Sequence, residues 1–143
     1  MIENQTNKNK LTTNTDKDLE GKIAELSVLY EIANLSFEGS LKDFAEEAKK
    51  KARRLFAIYG FALLKEKNKE RTTIICERFW DEKDIEEKIE DNKDNQFVYH
   101  LGEDDDIGVL FMEQKKKIDD PERRLYTIFG KQVEKGLTLA QNI

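Results

Sequence analysis

Residues 96–115, QFVYHLGEDDDIGVLFMEQK, hold the pattern that decides the fold. The first six, QFVYHL, are rich in β-branched and aromatic types, as a strand requires. Gly102 and the acids Glu103-Asp104-Asp105-Asp106 make a polar turn. Residues 107–115, IGVLFMEQK, form a second and more apolar strand. Two strands joined by so short a polar turn pair antiparallel. Just beyond them, Asp120-Pro121 sets a capping carboxylate before a proline at the first helical position. Leu125, Ile128, Phe129, Val133, Leu137 and Ala140 then carry an apolar helical face to the C-terminus. A helix from 121 to about 142 is about 33 Å long at 1.5 Å per residue.

Upstream, residues 57–65 (AIYGFALLK) and 71–80 (RTTIICERFW) read as two more strands, with residues 66–70 as their hairpin loop. Residues 81–92 read as a short helix capped by Asp81, with Ile85 and Ile89 one turn apart. Ahead of the strands lie two helical segments. In residues 18–37, Ile23, Leu26, Tyr30, Ala33 and Phe37 recur at spacings of 3, 4, 3 and 4, the period of a coiled-coil seam. Leu29, Ile32 and Leu35 widen the apolar surface to a second face. Such a helix is either shared between its own domain and a second subunit or buried among neighbours within one chain. Gly39 ends it. Ser40 and Asp43 have capping-box spacing for a helix carrying Leu41, Phe44, Ala45, Ala48, Ala52 and Leu55. The basic cluster Lys49-Lys50-Lys51 with Arg53-Arg54 reads as a solvated helix end complementing the dipole.

The order helix, helix, strand, strand, short helix, strand, strand, helix predicts an α+β domain. Its sheet is antiparallel, with the long helices on one face and the short helix on the other. Composition bounds the rest. The 143 residues suit one domain, with residues 1–17, rich in Asn, Thr and Lys, as a disordered polar tail and 18–143 as the folded body. A net charge of -5 argues against a general nucleic-acid binder. No apolar run approaches the roughly 20 residues that span a membrane. A single cysteine makes neither an internal disulfide nor a Cys-rich zinc site. The expectation is a cytoplasmic protein.

The segment 25–37 (ELSVLYEIANLSF), the helix 41–55 leading into a glycine-containing strand, and Ile107-Gly108-Val109-Leu110 followed by Asp119-Asp120-Pro121-Glu122 and a long terminal helix together resemble a GAF domain over about residues 20–142. The resemblance implies first, second and last helices on one face of a central antiparallel sheet. It also implies a small ligand, or none, beneath variable loops on the other face. Members commonly dimerise through their terminal helices and signal to kinase, cyclase, phosphodiesterase or transcription modules. The chain departs from that pattern in its middle. Only residues 81–106 separate the second strand from the last, which leaves little to enclose a ligand. Asn92-Lys93 and Phe97 are similar to the start of the family's cyclic-nucleotide signature, but the acidic pair does not follow at its spacing.

Few residues suggest chemistry. His100 is the only histidine and reads as a strand residue at an edge or surface. Cys76, in the middle of strand 71–80, reads as packing. The acidic turn reads as a solvated hairpin tip. Gly60, Gly102 and Gly108 are isolated and form no phosphate loop. A ligand pocket, if there is one, is expected at Trp80, Ile85, Ile89, Tyr99 and His100. A homodimer interface is expected at Ile23, Leu26, Tyr30, Ala33, Leu125, Ile128, Phe129, Val133 and Leu137. No catalytic, cofactor-binding or metal-binding residue is assigned, and the cofactor is left open. The expected role is a non-catalytic sensory or regulatory domain that binds a small ligand or partner protein. It would relay that event through its terminal helices to an attached or separate output module: a kinase, cyclase or transcription regulator. The alternative is a structural dimerisation or protein-interaction module with no small-molecule site.

Overall fold

The computed structural model describes residues 19–102 and 107–141. The polar tail at 1–17 and the acidic turn at 103–106 lie outside the described residues. Within them the chain is α+β, with four helices and a four-stranded antiparallel sheet. Residues 19–33 are helical (α1). They are followed by α2 (Leu41–Leu55), β1 (Ile58–Lys67), β2 (Glu70–Ile75), α3 (Glu82–Asp91), β3 (Gln96–Leu101), β4 (Gly108–Gln114) and α4 (Asp120–Gln141). The strand order is β2-β1-β4-β3.

Local chemistry sets the boundaries. Ser40 Oγ accepts from the Asp43 amide and Asp43 Oδ2 from the Ser40 amide, each at 3.1 Å, so the expected capping box starts α2. The same device starts α3 through Asp81 and Asp84. For α4 the cap is Asp119, one residue earlier than expected, because Glu122 rather than Arg123 stands at the reciprocating position. The β1–β2 loop is tighter than expected. Asn68 and Lys69 both have positive φ (55° and 67°), as a two-residue hairpin turn of primed type requires, and the strands run up to them.

Two elements stop short. α1 ends at residue 33 rather than 37, since Leu35 turns into the core and its carbonyl accepts from Gln132 Nε2 at 2.7 Å. β2 ends at Ile75 rather than Trp80, because side chains of α2 draw the chain out of the sheet. Lys49 Nζ donates to the Cys76 carbonyl at 3.1 Å, and Arg53 pairs with Glu77. Cys76 therefore sits in a loop, not in mid-strand.

β4 is buried along its whole length and hydrogen-bonded to β1 on one side and β3 on the other. Leu110 and Met112 join Phe61, Leu63, Phe97 and Leu101 on one face, under α2, α4 and the end of α1. Val109 and Phe111 join Ala62 and Leu64 on the other face, under α3. On the three-helix face, α4 packs through glycine. A Cβ on Gly136 would lie 2.2 Å from the Phe44 ring. By helix propensity alone, Gly136→Leu stabilises by up to ~1 kcal/mol. The ring contact reverses that sign, and a net loss of about 1–3 kcal/mol in urea unfolding is expected. A gain in stability would contradict the packing.

Candidate functional site

The five residues expected to line one pocket do not meet. Side chains alternate along β3, so Val98 and His100 point to the α3 face while Phe97, Tyr99 and Leu101 point to the three-helix face. Tyr99 packs on Gly130 of α4 and stacks with Phe97 at 6.1 Å, with the whole sheet between it and Trp80. His100 is exposed. Trp80, Ile85 and Ile89 do come together, but with Phe111, Ala62 and Val109 they fill the space under α3. The Trp80 ring lies edge-on to Phe111 at 5.9 Å. Gly60 makes room for it, since a Cβ there would lie 2.5 Å from the indole.

Beside this apolar layer is a polar cluster that sequence reasoning missed. Glu113 is buried on the α3 face, in phase with Val109 and Phe111. Lys88 Nζ donates to Glu113 Oε2 at 3.0 Å and lies 4.9 Å from the Trp80 ring centroid. Gln96 Nε2 is 3.5 Å from the same oxygen, and the Tyr59 hydroxyl donates to Oε1. Partial burial, then the bond to Glu113 and its charge, push the Tyr59 phenol from the ordinary 10.0 up to about 12. The available signal was a charged residue at an inward position of an otherwise apolar strand. With three donors around it, the carboxylate is committed to holding α3 on the sheet. Among the described residues no group of three His, Cys, Asp or Glu could hold a metal ion.

A second buried pair lies on the opposite face, where the Tyr126 hydroxyl donates to Gln114 Oε1 and burial raises its phenol pKa. Burial likewise pushes the Cys76 thiol up, away from the thiolate form a nucleophile needs. Its Sγ lies 3.3 Å from the Glu77 carbonyl, within donating distance.

The basic cluster of α2 is not simply a solvated end. Lys51 is buried and its Nζ donates to the Glu31 carbonyl at 2.8 Å, at the C-terminal turn of α1. Arg54 pairs with the Glu31 carboxylate, while Lys49 and Arg53 take Glu77. Opposite charges absorb most of the cluster inside the chain.

The expected interface residues divide. Phe129, Val133 and Leu137 are buried in the chain's own core, and Leu125 and Ile128 pack partly against it. This corrects the expectation for the α4 face, because the sheet and α2 already cover its central residues. The α1 residues are the reverse: Ile23, Leu26 and Tyr30 are 61%, 64% and 68% exposed, and Ala33 is exposed too. Leu19 extends the stripe by one more step.

No family model, curated protein or solved structure matches the chain. Among the described residues no helix is long and apolar enough to cross a membrane.

The Tyr59–Glu113 contact has a direct spectroscopic consequence. A folded-state phenol pKa above its unfolded value adds stability that is whole below pH ~10 and is lost as pH rises toward 12. Ring-carbon NMR titration is expected to place Tyr59 near 12, and Glu113→Gln to bring it back toward 10. A Tyr59 that titrates near 10 in the unaltered chain would contradict the contact.

Proposed function

We propose that the chain is a non-catalytic regulatory or protein-interaction domain that pairs with a second copy of itself along α1. The exposed stripe of α1 is the observation that carries this reading. Residues 19–27 of the helix are exposed on every side, and only its last turns reach the body. A lone helix of this length is marginal in water. It gains most from burying Leu19, Ile23, Leu26, Tyr30 and Ala33, whose 4, 3, 4, 3 spacing suits a helix of the same kind. The resemblance to GAF domains supports the same role. It adds an attached or separate output module (kinase, cyclase or transcription regulator) and a cytoplasmic setting.

In this reading the chain acts through the geometry of α1. Lys51 and Arg54 grip Glu31 at the end of that helix, so a change of pairing in α1 bears on α2 and through it on the sheet. A small-molecule site under α3 has less support, since Trp80, Ile85 and Phe111 occupy that space. That filling favours an interaction module over a metabolite sensor on the α3 face.

Sedimentation equilibrium is expected to show self-association at micromolar concentration. Leu26→Lys places a charge in the middle of the stripe and is expected to weaken association at least about tenfold. Because Leu26 is exposed, the melting temperature of the dilute protein should hardly move. A strict monomer throughout the concentration range would overturn the pairing.

A further inference from the structure

An apolar pocket of about 270 Å³ opens on the three-helix side of the sheet, away from the cluster under α3. The connector between α1 and α2 supplies Phe37, and α2 supplies Leu41; Ile74, Ile107, Leu137 and Ala140 form the other apolar walls. The connector is locally fixed. Gly39 has φ +74°, and Ser40 and Asp43 hold each other reciprocally.

Among the described residues that line the pocket, the one cation is Lys65 of β1. It follows Phe61 and Leu63 in the strand alternation, so it points to the same face. Lys65 is half-buried, and its position is unusual in this chain. Among the described residues, five other Lys and Arg side chains are buried or half-buried, and each has a partner. Lys49 and Lys51 reach Glu77 and Glu31, Arg71 reaches Glu66 and Glu86, Lys88 reaches Glu113, and Arg123 donates to the Asp94 carbonyl. Lys65 has no such partner among the described residues. A partly desolvated ammonium at the wall of an apolar pocket favours an anion there over a neutral or cationic group. Ser40 on the rim accepts the Asp43 amide through its oxygen, and its own hydrogen can serve a second acceptor.

We propose that this pocket binds a small amphiphilic carboxylate, with its apolar body among Phe37, Leu41, Ile74 and Leu137 and its acid group on Lys65. A cavity of ~150 Å³ accommodates benzene, so the volume here suits a ligand of about ten non-hydrogen atoms. The ligand would touch the α1–α2 connector, β1 and α4 together, and would stabilise their present arrangement by mass action. The site is independent of whether two copies pair through α1.

Octanoate is a suitable probe, with 1-octanol and octylamine as matched neutral and cationic chains. Titration into isotopically labelled protein is expected to shift the amides of Phe37, Leu41, Ile74, Ile107 and Leu137 saturably. Octanoate should bind about tenfold more tightly than octanol, and octylamine more weakly still. Lys65→Met should reduce octanoate to the affinity of octanol and leave octanol unchanged. Ala140→Phe, which puts a larger side chain on the lining of the pocket, should abolish both without lowering the melting temperature. The proposal is overturned by the absence of saturable shifts at these amides, by equal affinity for octanoate and octylamine, or by a Lys65→Met variant that binds octanoate as before.

Discussion

β4 must be covered on both faces, and the rest of the structure accommodates that requirement. Every residue from Gly108 to Gln114 is buried, and the strand is hydrogen-bonded along both edges. Its apolar side chains point both ways, so a single layer of helices cannot hide them. Leu110 and Met112 call for the broad layer made by α2 and α4, and Val109 and Phe111 call for α3. Glu113 shares the phase of Val109 and Phe111 and is drawn into the same interior. An unpaired buried carboxylate is costly, and removing one partner of such a pair typically costs ~3–5 kcal/mol. Lys88, Tyr59 and Gln96 surround it, which fixes where α3 sits along the sheet.

The same requirement leaves α1 at the margin. With α2 and α4 over the centre of the face, α1 contributes only its last turns to the core, through Val28 and Ile32, and the connector after it adds Leu35. Glu31 adds polar contacts to that apolar anchor, through Lys51 and Arg54. Exposed ion pairs contribute little, about 0–1 kcal/mol each, so these contacts orient the helix more than they stabilise it. The buried Lys51 bond to the Glu31 carbonyl is the firmer one, because it also caps the negative end of α1. α2 thus grips α1 with one set of cations and the loop after β2 with another. An apolar helix held only at one end is what gives the chain an outward surface.

Much of the architecture was legible in the sequence where local and tertiary preferences agree. QFVYHL is bounded by a turn signal and forms β3 with the expected limits. Ser40–Asp43 and Asp81 cap helices as their spacing demands. The failures lie where a distant group wins. Residues 76–80 have strand composition, but Lys49 and Arg53, more than twenty residues earlier, bend them out of the sheet. Tyr99 shares the aromatic chemistry of Trp80, but the two-residue period of a strand sends it to the opposite face. Phe129, Val133 and Leu137 form an apolar stripe that looks the same in sequence whether a sheet or a second chain covers it, and here the chain's own core does. The cluster around Glu113 is not legible in the sequence because its members, Tyr59, Lys88, Gln96 and Glu113, come from four different elements. Only the fold shows that they meet.

Amide hydrogen exchange across α1 tests the central claim most directly. If residues 19–30 are covered by a second copy, their exchange should slow as protein concentration rises from nanomolar to micromolar. Amides of β4, buried within the chain, should not respond. Exchange in α1 that is fast and independent of concentration would contradict pairing through this helix.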